Sequence, residues 1–123
     1  MIADVAVEPG VTTLSSGPLL FHCVAGKDRT GLIAALMLTL ADVKPESIAA
    51  EYAESSHMLG NAYLVRYKDV DPQDVLENVR CPKEGVHNML AYLNHHGGTR
   101  AYLEAIGMQP SDITRLRARL RGP

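Results

Sequence analysis

The stretch that most constrains how this chain can fold spans residues 19–31 and reads LLFHCVAGKDRTG. An apolar run over residues 18–22 has the length of a buried strand and stops at Cys23. Arg29 follows after five more residues, and residues 32–41 are almost wholly apolar, which is typical of a buried helix. The sequence therefore predicts a strand, a tight loop and a helix, with a thiol where the strand ends and an arginine where the helix begins.

Such a loop favours an anion as its ligand. A helix N-terminus offers unpaired N–H groups and the positive end of the helix dipole, and a curled loop aims further N–H groups inward. Gly26 allows a close backbone approach, and the guanidinium of Arg29 can hold two oxyanion oxygens. The same field lowers the pKa of a thiol from about 8.5 to about 3.5–7.5. We therefore expect Cys23 to be a thiolate nucleophile at neutral pH. We call residues 23–29 the anion loop.

The motif HCVAGKDRTG at residues 22–31 resembles the H-C-x5-R-[ST]-G signature of cysteine-dependent protein tyrosine phosphatases. Its GKDRTG part most resembles a bacterial tyrosine phosphatase-like branch, whose members accept phosphotyrosine, phosphoserine or phosphothreonine, and phosphoinositides. Residues 102–120 also resemble the end of this family. The resemblance implies a tyrosine phosphatase-like α/β fold, here dominated by helices, with a short or truncated sheet before the anion loop.

The predicted reaction is hydrolysis of a phosphate monoester in two steps. Cys23 attacks phosphorus to form a cysteinyl-phosphate, which divides one difficult displacement into two easier ones. Arg29 and the loop N–H groups stabilise the equatorial oxygens in the transition state. The predicted phosphate-binding residues are Val24, Ala25, Gly26, Lys27, Asp28 and Arg29.

Two further residues have open roles. Thr30 could hydrogen-bond the sulfur of Cys23 and help it leave, as the resemblance implies, or it could satisfy backbone donors at the helix start. A general acid must protonate the leaving oxygen. Before Cys23 the sequence offers only Asp4 and Glu8, whereas relatives of this branch are thought to use the aspartate that corresponds to Asp28. The alternative for Asp28 is a hydrogen bond that shapes the loop.

Lys27 is either a solvated loop cation or the recruiter of a second phosphate, which would favour phosphoinositides. His22 is expected to brace the loop, and Cys81 to be a structural thiol. The histidines show no reliable metal-ligand spacing, so we expect no metal and no cofactor.

Composition excludes several classes of protein. A net charge of −2 gives no footprint for nucleic acid, and two cysteines do not form a disulfide framework. No apolar run approaches the roughly 20 residues that span a bilayer, and no secretory signal is visible, so we expect a cytoplasmic protein without a transmembrane segment. The 123 residues suit one domain, which the resemblance identifies as the C-terminal, signature-bearing part of the family's catalytic domain.

Only 22 residues precede Cys23, fewer than the resemblance implies. The chain is therefore either a phosphatase acting on a phosphorylated protein or a phosphoinositide, or an incomplete phosphate-binding or interaction module. Such a module would need a partner chain or a missing N-terminal part. An exposed sheet edge would invite a homo-oligomer.

Periodicity and breakers also predict the order of the helices. The expected helices cover residues 30–41 and 46–58, a short segment from residue 72, then residues 82–95, 99–106 and a last helix capped by Ser111.

Overall fold

Six α-helices make up most of the computed structural model, which describes residues 20–122. They are α1 (Asp28–Leu40), α2 (Pro45–Arg66), α3 (Pro72–Asn78), α4 (Lys83–His95), α5 (Thr99–Ala105) and α6 (Pro110–Arg121). The predicted dominance of helices is confirmed. The N-terminal sequence predicts a short strand or the end of a helix at residues 3–7 and a turn at residues 15–18. Both, together with the first residues of the predicted strand, lie outside the described residues.

The buried strand predicted before Cys23 is not formed at residues 20–22. Leu20 is 87% exposed, and no strand occurs anywhere in residues 20–122. A strand needs a neighbouring strand to pair its backbone groups, and this range offers none. The α/β class and the oligomer through a sheet edge therefore remain predictions.

Helix α1 connects the two hydrophobic cores of the described chain. One core joins α1, α2 and α4 through Ala35, Leu36, Ile48, Ala49, Val86, Leu90 and Leu93. The other joins α1, α5 and α6 through Leu40, Leu103 and Ile113. The prediction that α1 is buried all round is wrong, because Leu32 on this helix is exposed.

Helix α2 is longer than predicted and continues through Gly60 to Arg66. Glycine costs a helix about 1 kcal/mol relative to alanine, which is why the pattern predicted an end near Met58. Gly60 is buried, and a Cβ atom there would lie 3.4 Å from Cδ2 of Leu76. Gly60 therefore lies where α2 meets α3, and a Cβ atom there would make an ordinary van der Waals contact with Leu76.

The N-terminal residues of α3 and α6 show how well the sequence predicted helix starts and their capping residues. The carboxylate of Asp71 caps α3 by accepting the N–H of Gln73 at 2.8 Å. The prediction that Ser111 caps the last helix is wrong, because α6 begins two residues earlier than that cap implies, at Pro110, with Gln109 as its N-cap. Proline suits the first helical position because its missing N–H would have no partner there.

The C-terminal end of α1 is tied to α6 by charged groups. Asp42 has a φ of 63°, a left-handed conformation that aspartate tolerates better than most residues. Its carboxylate accepts hydrogen bonds from both Arg117 and Arg121. Arg121 also donates to the carbonyl oxygen of Ala41 at 3.3 Å, where a cation complements the helix dipole. These contacts fix the end of α1 opposite the anion loop.

None of the helices in residues 20–122 combines the length and the apolar character that a membrane crossing requires.

We predict that Ile113→Ala lowers the free energy of unfolding by about 3 kcal/mol, because Ile113 is 0% exposed in the second core. Urea unfolding followed by circular dichroism measures the change. Leu120→Ala on the same helix is the control and should cost less than about 1 kcal/mol, since Leu120 is exposed. Equal effects of the two variants would contradict the placement of α6.

Candidate active site

The anion loop curls directly into the first turn of α1. Residues 24–27 form consecutive bends, and Gly26 has a φ of 69°, which glycine adopts without strain. Lys27 is the N-cap residue, and its carbonyl oxygen accepts the N–H of Gly31 at 2.9 Å. The N–H groups before Gly31 are therefore left for other partners, as the sequence predicted.

The half-buried thiol of Cys23 lies at the centre of this curl. The Thr30 hydroxyl has the largest effect on its pKa, followed by the Thr30 backbone N–H, and the N–H groups of Gly26 and Lys27 act in the same direction. Burial opposes them, but together they lower the pKa of Cys23 from 9.0 to about 6. The thiol is therefore largely a thiolate at neutral pH, the form that acts as a nucleophile.

The hydroxyl group of Thr30 stabilises the thiolate form of Cys23. Its hydroxyl oxygen is buried and has no partner among residues 20–122 that meets full hydrogen-bond geometry. Its electrostatic effect on Cys23 nevertheless exceeds that of any other group. We conclude that the hydroxyl faces the sulfur at the edge of hydrogen-bonding geometry.

The remaining loop residues differ in exposure. Val24 is 94% exposed, Ala25 is half-buried, and Arg29 is exposed on the first turn of α1. Arg29 forms no hydrogen bond or ion pair with residues 20–122, so none of them occupies its guanidinium. The Nδ1–H of His22 donates to the carbonyl oxygen of Cys23 at 3.1 Å, a contact with the loop backbone.

Lys27 and Asp28 form an ion pair in which the Nζ–Oδ1 distance is 2.6 Å. The Lys27 side chain is only 12% exposed, whereas that of Asp28 is 71% exposed. Burial alone would lower the pKa of Lys27, but the hydrogen bond and charge of Asp28 outweigh it and raise the pKa. The interpretation of Lys27 as a solvated loop cation is therefore wrong, because its stem is packed against the protein.

Tyr52 on α2 is a neighbour of the loop that the sequence did not reveal. A Cβ atom at Gly31 would lie 2.8 Å from Cδ2 and from Cε2 of the Tyr52 ring, so the ring rests on the glycine backbone. The spacing of residues within α2 carries no information about which helix the Tyr52 ring contacts. Beside this contact is a cavity of about 170 Å³ lined by Asp28, Gly31, Leu32, Ala35, Tyr52, Gly85, Val86 and Met89.

Cys81 is buried between α3 and α4. Its N–H donates to the hydroxyl oxygen of Ser56 at 2.7 Å, and its thiol donates to the carbonyl oxygen of Val79 at 3.6 Å. These contacts agree with a structural thiol. Across residues 20–122, no three His, Cys, Asp or Glu side chains are grouped as ligands for a metal ion.

Comparison with known proteins agrees with this geometry. The sequence profile of the tyrosine phosphatase family matches residues 4–122. A tyrosine-protein phosphatase of Nostoc commune is 34% identical over 125 residues, which cover 89% of this chain and 41% of that protein. The triple specificity protein phosphatase PtpB of Mycobacterium tuberculosis is 44% identical over 55 residues, 44% of this chain and 20% of that protein.

The chain thus spans less than half the length of these relatives. No solved structure matches it significantly.

We predict that Thr30→Ala raises the pKa of Cys23 by about one unit, because the variant loses the side-chain interaction that favours the thiolate. The rate of iodoacetamide alkylation of Cys23, followed by mass spectrometry against pH, measures this pKa. The midpoint should lie near pH 6 in the unaltered chain and higher in the variant. Thr39→Ala is the control, since the Thr39 hydroxyl donates to the carbonyl oxygen of Ala35 within α1. An unchanged midpoint in Thr30→Ala would contradict the assignment.

Proposed function

The chain belongs to the tyrosine phosphatase family, and we propose that it hydrolyses phosphate monoesters with Cys23 as the nucleophile. The observation that carries this proposal is the Cys23 thiol with a pKa lowered to about 6, facing N–H groups at the start of a helix. Groups that stabilise a thiolate also suit the oxygens of a phosphoryl group. One loop thus supplies both the nucleophile and the anion site.

The proposed first step forms a sulfur–phosphorus bond and breaks the ester oxygen–phosphorus bond. The backbone N–H groups of Gly26 and Lys27 and the guanidinium of Arg29 would bind the non-bridging oxygens. In the second step water attacks the cysteinyl-phosphate, and inorganic phosphate and the Cys23 thiolate are released. Thr30 favours this step because its hydroxyl stabilises the departing thiolate.

Asp28 is the proposed general acid that protonates the leaving oxygen. It is the first residue of α1 and is largely exposed beside the anion loop, where a leaving group could reach it. In the structure, Nζ of Lys27 donates a hydrogen bond to the carboxylate of Asp28. Asp28 therefore has to leave this ion pair and carry a proton before it can act, and substrate binding would drive that change.

Phosphorylated proteins are the proposed substrates. One relative is named a triple specificity protein phosphatase, which supports a phosphorylated protein as the substrate class. Val24 beside the nucleophile is almost fully exposed and offers an apolar contact to a substrate. Recruitment of a phosphoinositide through Lys27 would require this mostly covered side chain to turn outward and to release Asp28.

A second candidate is a phosphate-binding module that needs further chain for turnover. It is favoured by the chain's span of 41% of the Nostoc protein and by the exposure of Leu20 next to the loop. In this case the loop would bind phosphate, and another segment would supply the acid or the missing support.

We predict that the purified chain hydrolyses para-nitrophenyl phosphate and that Cys23→Ser reduces turnover by about 10³-fold or more, because a serine hydroxyl is not ionised at neutral pH. Cys81→Ser is the control and should retain activity. Absence of turnover in folded chain that still binds phosphate or vanadate would contradict the autonomous enzyme and support the phosphate-binding module.

We predict that Asp28→Asn slows hydrolysis of phenyl phosphate by about 10²-fold and affects para-nitrophenyl phosphate far less. Nitrophenolate is a stable leaving group, whereas phenolate needs a proton from the acid. Steady-state kcat for both esters provides the test. Asp74→Asn, in the first turn of α3, is a matched control. Equal losses with both esters would show that Asp28 shapes the loop and does not donate the proton.

A further inference from the structure

The cavity of about 170 Å³ beside the anion loop lies between α1, α2 and α4. Its lining is mainly apolar, and the apolar side chains that contribute to it are those of Leu32, Ala35, Tyr52, Val86 and Met89. Leu32 and Gly85 in this lining are exposed, so the cavity opens to the surface. One charged side chain, that of Asp28, also lines it. A carboxylate therefore borders a largely apolar space.

Gly85, in the first turn of α4, leaves room in this cavity. A Cβ atom at Gly85 would meet no atom within 4 Å, and the backbone of Gly85 does not have a positive φ. At Gly31, by contrast, a Cβ atom would lie 2.8 Å from the ring of Tyr52. Glycine is also a poorer helix former than alanine. A larger residue would therefore fit the helix at position 85 and would take up space in the cavity, which glycine keeps open.

We propose that this cavity is a specificity subsite that binds an apolar side chain of a substrate protein, two residues away from the phosphorylated residue. The inference rests on the proposed function of the anion loop and deepens it. The cavity and the loop share Asp28, which is also the first residue of α1. A substrate whose phosphate binds at the loop therefore lies next to the cavity.

The dimensions of the two sites agree with an extended substrate. From Asp28 to Ala35 the cavity follows about 10 Å of α1. In an extended chain, side chains two residues apart point to the same side and lie about 7 Å apart. A peptide that holds its phosphorylated side chain at the loop can therefore place the second residue before or after it in the cavity.

The size and the lining of the cavity favour one aliphatic or aromatic side chain as its occupant. An apolar cavity of about 150 Å³ is large enough to hold benzene. The inositol ring of a phosphoinositide carries hydroxyl groups, and burying them without hydrogen-bond partners is unfavourable. The cavity therefore favours a protein substrate with a side chain of the size of leucine over a lipid headgroup.

The experiment measures the binding of fluorescent phosphotyrosine peptides to the full chain with Cys23→Ser, by fluorescence anisotropy, so the result does not depend on turnover. The peptides carry leucine or alanine at the second position before or after the phosphotyrosine. Leucine at one of these positions should strengthen binding about tenfold over alanine, because it buries more apolar surface.

Gly85→Leu, added to this chain, should remove the preference for leucine because the new side chain fills the cavity. Asn88→Leu is the matched control, since it adds the same side chain at an exposed position of α4 that does not line the cavity. Thermal unfolding, recorded in parallel, shows that each variant is folded.

Equal binding of the leucine and alanine peptides at both positions would overturn the inference and leave the loop as a phosphate site. A preference for leucine that persists in Gly85→Leu would place the apolar contact elsewhere and overturn it too. So would a soluble phosphoinositide headgroup whose binding weakens in Gly85→Leu, because the cavity would then be a lipid site. If folded chain bound neither phosphopeptides nor inorganic phosphate, the proposed function of the loop would fail, and this inference with it.

Discussion

The N-terminus of α1 must stay open towards the anion loop, and the rest of the structure depends on this constraint. N–H groups that bind a thiolate or a phosphate cannot also be covered by protein. Helix α1 therefore has to be held by its sides and by its C-terminal end. The described chain does this with two hydrophobic cores along α1 and with two arginines that bind Asp42 just beyond its last residue.

Electrostatics and packing have separate tasks in this arrangement. Thr30 and the loop N–H groups set the charge state of Cys23, and none of them belongs to a hydrophobic core. Tyr52 and Gly31 provide shape, since a ring fits where a side chain is missing. Lys27 takes part in both, because its backbone N–H lowers the pKa of Cys23 and its side chain, mostly covered by protein, pairs with the exposed Asp28.

Most helices and the anion loop could be predicted from the sequence, because both are encoded by residues close together in the chain. Pro45, Asp71 and the apolar stripe of α4 are local signals, and the helices they predicted are present. The sequence did not predict features that depend on packing between helices. Helix α2 continues through Gly60, which is buried against α3, and the contact of Tyr52 with Gly31 joins residues on different helices. The strand before Cys23 needs a partner that residues 20–122 do not supply.

The tie between Asp42 and the last helix has a consequence for how the chain folds. Arg117 and Arg121 are separated from Asp42 by 75 and 79 positions, so this contact forms only after nearly all of the described chain has been synthesised. Contacts between residues so far apart in the chain slow folding. Until α6 packs, Leu40 is not buried against Ile113. A nascent chain can close the anion loop early from local residues, but α1 gains its final support last. Exposure of α1 to chaperones and aggregation is therefore greatest just before synthesis of α6 is complete.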